Sequence, residues 1–141
     1  MRVADIMTTD VTSCKQTDSL ALCATHMRDL NVGAMPVMDV DNNLVGILTD
    51  RDITVRAVSQ GIDPDDALVE DFMSPNPITI NLDMDVDDAA EIMADNQIRR
   101  LPIVDNTDRL IGIISLGDLA VDVGEEDVVA ETLEEISIPV R

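Results

Sequence analysis

The residues best placed to do chemistry form two matching runs. Gly46-Ile47-Leu48-Thr49-Asp50-Arg51-Asp52 sets a hydroxyl and a carboxylate three residues apart, and Gly112-Ile113-Ile114-Ser115-Leu116-Gly117-Asp118 does the same. An apolar run ending in Thr/Ser-x-x-Asp is the pattern of a strand handing over to a helix. There the hydroxyl and the carboxylate each accept an amide that the first turn leaves unpaired. The same geometry suits a second chemistry. Free N–H groups at a helix start attract an anion. A carboxylate one turn in can accept both hydroxyls of a ribose, and the capping hydroxyl can then reach a phosphate. Spacing alone does not separate the two readings.

Other constellations carry less. Cys23 and His26, three apart on a predicted helix, could offer two zinc ligands, with Cys14 as a third. They read more simply as two small core thiols and a satisfied surface histidine, and no metal site is assigned. The two cysteines do not make a disulfide-scaffold pattern. His26 is the only histidine and has no motif partner, so no nucleophile–base pair and no catalytic residue are assigned. The eight methionines read as core filler.

The elements that must position the two runs are copies of each other. Asp5-Ile6-Met7 recurs as Asp71-Phe72-Met73, and Met35-Pro36-Val37-Met38-Asp39 recurs as Leu101-Pro102-Ile103-Val104-Asp105, always 66 residues on. Laying residues 4–55 on 70–121 gives 12 identities in 52 positions without a gap, which marks a duplication. Each copy predicts a brief strand (11–13 and 78–80), then a helix with Thr17 or Asp83 as its N-cap. Leu20, Cys23, Ala24, Met27 and Leu30 give the first helix its apolar face, and Val86, Ala89, Ala90 and Met93 the second. A hairpin of strands 35–38 and 44–48, or 101–104 and 110–114, follows, and then a closing helix over 50–59 or 116–121. The order β-α-β-β-α makes an α+β fold, each copy a small sheet with helices on one side. One copy alone would be marginal in size, so two packed about a pseudo-twofold axis are expected to share a core. The divisions are 1–61, 62–124 and an acidic amphipathic tail helix over 125–141, with 61–66 as the linker.

Composition narrows the partners. The net charge is −20, Lys15 is the only lysine, and there is one Phe with no Trp or Tyr. Such a field repels duplex nucleic acid and anionic membrane, and single-stranded nucleic acid would find little to stack on. Scarce lysine and strong acidity fit either plain solubility or a high-salt setting, where screening relieves self-repulsion. The first residues carry charge and no apolar run follows, so no signal peptide is read and a cytoplasmic location is the default.

Taken together, the paired Asp-Ile/Phe-Met openings, the Met-Pro-Val and Leu-Pro-Ile strands and the twin Gly-h-h-Thr/Ser-x-x-Asp endings resemble a tandem CBS-domain protein of the small stand-alone type, over residues 3–122. The resemblance implies a CBS-pair fold that dimerises into a disc and offers clefts to AMP, ADP, ATP or S-adenosylmethionine. It implies that Asp52 and Asp118 hold ribose, that Thr49 and Ser115 lie near phosphate, and that Ser13, Thr79, Met35 and Leu101 line the adenine side. It also implies a regulatory sensor acting on a separate effector protein rather than an enzyme. The alternative is an empty CBS-pair dimer used as an interaction surface. A basic pair before the Leu-Pro strand is typical of nucleotide-binding members. Arg99-Arg100 supplies it in the second copy, where the first has Gly33-Ala34. Arg51 is a further phosphate candidate, or else the partner of a neighbouring Asp. The two clefts are therefore expected to be unequal.

Overall fold

The computed structural model describes residues 1–122, and the acidic helix expected over 125–141 lies outside them. Each repeat is organised by a hairpin whose inward residues are aliphatic. In the first repeat, strands β2 (Ala34–Met38) and β3 (Leu44–Thr49) pair antiparallel; in the second, β6 (Arg100–Val104) and β7 (Leu110–Ser115) do. The registers are equivalent throughout: Met35 faces Leu48 as Leu101 faces Ile114, and both hairpins slip by a residue, between Val37 and Met38 and between Ile103 and Val104. The turns are built alike. Asp39 Oδ1 accepts the amides of Asp41 and Asn43 at 2.9 and 2.8 Å, and Asn42 takes φ +63°. Asp105 Oδ1 accepts the amide and hydroxyl of Thr107 at 2.8 and 2.7 Å, and Asp108 takes φ +62°. Asp and Asn tolerate that left-handed geometry better than branched residues.

A short parallel strand flanks each hairpin: β1 (Cys14–Lys15) on β2, and β5 (Ile80–Asn81) on β6. The expected strands at 11–13 and 78–80 are thus displaced toward the C-terminus. Burial decides it: Cys14 and Ile80 enter the cores, whereas Ile78 stays 42% exposed. The helices that follow, α1 (Leu20–Leu30) and α3 (Val86–Asn96), are capped by Ser19 and Asp85, two residues past the expected Thr17 and Asp83. Tertiary hydrogen bonds set these starts. Leu20 and Ala21 donate their amides to the carbonyls of Ala67 and Pro64, Leu22 to Ser19 Oγ, and Val86 to the carbonyl of Met1. The face of α1 is also narrower than its periodicity suggests. Leu20, Cys23 and Met27 are buried, but Leu30 is exposed. The closing helices start at α2 (Asp50–Asp52) and α4 (Leu116–Asp122). The first continues as a wide π turn over Ile53–Ala57 and a 3-10 turn over Val58–Gln60, stopped by Gly61 at φ +69°.

The compact units cross the repeat boundaries. One is Thr12–Pro77, and the other joins Met1–Val11 to the chain from Ile78 onward. Each repeat's opening segment therefore completes the opposite repeat's unit, where the sequence divides at 61 and 62. In unit Thr12–Pro77, strand β4 (Ser74–Pro75) pairs along β3 and extends the sheet to the order β1-β2-β3-β4. In the other unit Thr8 bridges Ile113 at the matching edge of the three-stranded β5-β6-β7 sheet. The methionines of the Asp-Ile/Phe-Met motifs explain the hairpin glycines. A Cβ at Gly46 would come within 2.5 Å of the Met73 sulfur, and one at Gly112 within 2.6 Å of the Met7 sulfur. Each unit has its own core. Leu20, Met27, Met35, Val37, Leu48 and Val69 centre the first; Val3, Met93, Leu101, Ile103, Ile114 and Leu119 centre the second.

The cysteines correct another expectation. Cys14 on β1 and Cys23 on α1 are joined in a disulfide, with Cα atoms 6.1 Å apart, instead of standing as two separate thiols. Their offset of nine residues carries no signal of pairing; only the packing of α1 on β1 brings the sulfurs together. Among the described residues no cluster of three metal-binding side chains forms around them or elsewhere. None of the described helices is long and apolar enough to cross a membrane.

Candidate functional site

The strand-to-helix junctions hold the motif residues in reciprocal capping boxes. Asp52 donates its amide to Thr49 Oγ1 at 3.1 Å, and Thr49 donates its own to Asp52 Oδ2 at 3.0 Å. Ser115 and Asp118 repeat the arrangement at 3.1 and 2.8 Å. All four residues are half-buried. In each box the cap occupies one carboxylate oxygen, Oδ2, and Oδ1 accepts no hydrogen bond from the described residues. Capping and ligand binding, indistinguishable in the sequence, are therefore compatible in space: one oxygen holds the backbone and the other remains for a ligand hydroxyl.

The hairpin register determines what stands beside each box. Ala34 pairs with Thr49, and Arg100 pairs with Ser115. Arg100 is thus the cross-strand neighbour of the capping hydroxyl in its unit, half-buried, with exposed Arg99 preceding it. Neither arginine has an ion pair among the described residues; nor does Arg51, so the salt bridge to a neighbouring Asp that stood as the alternative to its phosphate role does not form there. Asp50 donates its amide to the Gly33 carbonyl at 3.0 Å, as Leu116 does to Arg99 at 2.9 Å.

The adenine-side residues divide. Ser13 and Thr79 are exposed and directly precede β1 and β5. Met35 and Leu101 are 1% and 0% exposed, with their side chains packed in the cores. His26 is half-buried on α1 and joins no metal cluster among the described residues.

The model of the CBS domain matches the chain twice, over residues 3–58 and 69–125. The chain belongs to the CBS-domain family. A curated relative, the CBS domain-containing protein YhcV of Bacillus subtilis, is 42% identical over 135 residues, covering 96% of this chain and 94% of the relative. Among solved structures, the CBS domain pair of protein MJ0100, in complex with 5′-methylthioadenosine and S-adenosyl-L-methionine, is similar at TM-score 0.77 and 28% identity, covering 89% of this chain and 98% of that one. CBSX2 in complex with AMP is similar at TM-score 0.77 and 26% identity, with the same coverages. This chain therefore has the tandem α+β architecture of CBS-pair proteins, built twice from one repeat.

Proposed function

We propose that the protein is a regulatory sensor that binds an adenosine-containing small molecule and acts, as a homodimer, on a separate effector protein. The observation that carries this reading is the half-used carboxylate, repeated at Asp52 and Asp118. Each keeps one oxygen for the helix cap and offers the other beside a hydroxyl suited to the next group of the ligand. The same chemistry recurs in the ligands named with the two CBS-pair structures, AMP in one and sulfur-containing adenosines in the other. In this reading Asp52 and Asp118 hold ribose, and Ser13 and Thr79 sit toward adenine. Ser115 with Arg99 and Arg100 takes phosphate in the unit that contains them, because bidentate guanidinium is the strongest phosphate partner available to a side chain. No reacting group is assigned, and the role is binding rather than catalysis. A cytoplasmic location is part of the proposal, as is a high-salt setting, which the charge of −20 supports. A melting temperature that climbs into molar KCl would bear out the latter, and a flat response would overturn it.

Thermal melting with adenosine, AMP, ADP, ATP and S-adenosylmethionine tests the central claim. A ligand at about 100 times its dissociation constant stabilises by about 2.7 kcal/mol. A chain indifferent to the whole panel is an interaction module and not a sensor.

A further inference from the structure

The Cys14–Cys23 disulfide closes a loop on which a distant stretch of the chain docks. Val69 and Glu70 donate their amides to the carbonyls of Asp18 and Gln16 at 2.9 and 3.0 Å, and Leu20 and Ala21 donate theirs to Ala67 and Pro64 at 2.9 and 3.0 Å. Ser19 bridges Leu68 between them. Residues 64–70 are thus held by the cross-linked loop itself. The chain then runs into Phe72 and Met73, which reach both elements flanking the Thr49–Asp52 box. The Met73 sulfur lies over Gly46 on β3. The Phe72 carbonyl accepts Arg56 Nη1 at 2.7 Å, four residues beyond Asp52.

The other unit makes equivalent contacts without a cross-link. Val3 donates to the Met84 carbonyl at 2.8 Å and Val86 to that of Met1 at 2.9 Å, while Ile80 and Ala89 stand where the cysteines do. The docked geometry therefore does not need the bond for its shape. What the bond adds to one unit is a response to thiols. Disulfides in a cytoplasm, the location proposed above, are rare and mostly serve redox sensing or catalysis. Cys14 and Cys23 are 1% and 0% exposed. However, Cys14 lies on the edge strand β1, which pairs with β2 at Cys14 and Lys15 and is flanked by exposed Ser13. Opening so short an edge strand is a local event that admits a small thiol without global unfolding.

We propose that Cys14–Cys23 is a reversible thiol–disulfide switch, reduced by a dithiol, that controls how firmly residues 64–73 dock in unit Thr12–Pro77 and so how firmly the Thr49–Asp52 box is framed. A thiolate of the dithiol attacks one sulfur of the bond, forming a mixed disulfide and freeing the other cysteine, which takes up a proton. The second thiol then displaces the remaining cysteine. The dithiol leaves as an intramolecular disulfide, and two electrons and two protons have passed to the chain as two cysteine thiols. Exchange with a small disulfide runs the sequence backward. The switch acts on one repeat, since the other has no sulfur to reduce at the matching place. Its effect on a ligand rests on the adenosine reading above; the switch itself does not.

Amide hydrogen exchange followed by NMR on the full chain, with and without dithiothreitol, tests the switch in the absence of any ligand. Reduction should go to completion under native conditions and reverse when oxidised glutathione replaces the dithiothreitol. The Leu20, Ala21, Val69 and Glu70 amides should then exchange about ten-fold faster or more, while the equivalent Val3 and Val86 amides keep their rates. Calorimetry with adenosine in the same two buffers reads the output: one of two sites should weaken about five-fold on reduction. A bond that is reduced only once the chain unfolds overturns the switch. So do four amides whose rates stay the same, or a gain shared equally by both units. Faster exchange with unchanged adenosine affinity overturns the link to the Thr49–Asp52 box. A chain that binds no adenosine in either buffer overturns the adenosine reading, and the exchange rates still decide the switch. Every arm uses the unmodified chain, so none depends on a variant that folds.

Discussion

The two repeats agree where backbone geometry is at stake and differ where a side chain is free to choose. Both have the same strand register, the same slip in the hairpin, the same capping box and the same methionine over the hairpin glycine. Asn31 caps the C-terminus of helix α1 and Gln97 that of α3, both in the left-handed conformation. Two groups among the divergent positions bear on stability and on the site. In the core, the Cys14–Cys23 pair of one repeat stands where the other has Ile80 and Ala89, both buried. At the site edge, acid and base are redistributed around an unchanged box. Positions that pair backbone groups have few solutions, because an unmatched buried amide costs about 1–3 kcal/mol. Positions that fill volume or face solvent have many.

The disulfide is the largest asymmetry and the most direct one to break. Reduction is expected to destabilise unit Thr12–Pro77 by about 2–4 kcal/mol, the usual contribution of a cross-link that restricts the unfolded chain. Urea unfolding with and without dithiothreitol measures it. The Cys14→Ile/Cys23→Ala chain, which copies the other repeat's pair, should show no response to the reductant. An unchanged urea midpoint on reduction of the parent chain would mean that the cross-link adds nothing to its stability.

The glycines test the symmetric half of the comparison. Gly46→Ala and Gly112→Ala each push a methyl into a methionine sulfur, with a backbone carbonyl at 3.0 or 3.1 Å behind it. Each should cost about 1–3 kcal/mol by overpacking, and denaturation should find the two losses alike. The capping carboxylates come next. Asp52→Ala and Asp118→Ala remove one of two cap hydrogen bonds, so each should cost about 1 kcal/mol while abolishing ligand binding at its own site. A loss of several kcal/mol without any change in binding would make both residues structural only.

The smallest expected effect concerns acid. Asn43 above all, through its backbone N–H, holds the Asp39 carboxyl below the usual carboxylate range; the Thr107 hydroxyl is the main cause of the same shift at Asp105. Since both are lowered in the folded state, their contribution is present above the unfolded value and is lost as pH falls through the folded one. Melting curves below about pH 4 should show a slightly steeper acid loss in the parent than in Asp39→Asn/Asp105→Asn. Equal slopes would remove the turns from the acid response.

Much of this protein can be read from the chain alone. The duplication, the order β-α-β-β-α, the hairpins and the boxes at Thr49–Asp52 and Ser115–Asp118 all follow from local rules: aliphatic alternation, turn residues and helix-start chemistry act within a few residues of one another. The Arg99-Arg100 against Gly33-Ala34 contrast is equally local. What tertiary structure decided are the long-range pairings. Helix α1 begins at Leu20 because Ala67 and Pro64 offer carbonyls there, and α3 begins at Val86 because Met1 does. That the side chains of Met35 and Leu101 lie in the cores is likewise tertiary, since which face of a strand is buried depends on what packs against it. The exchange of opening segments has the same origin. Met7 and Met73 lie in motifs that look self-contained, yet each covers a glycine of the opposite repeat. The two opening motifs are so alike that only packing in three dimensions distinguishes covering one's own glycine from covering the other's.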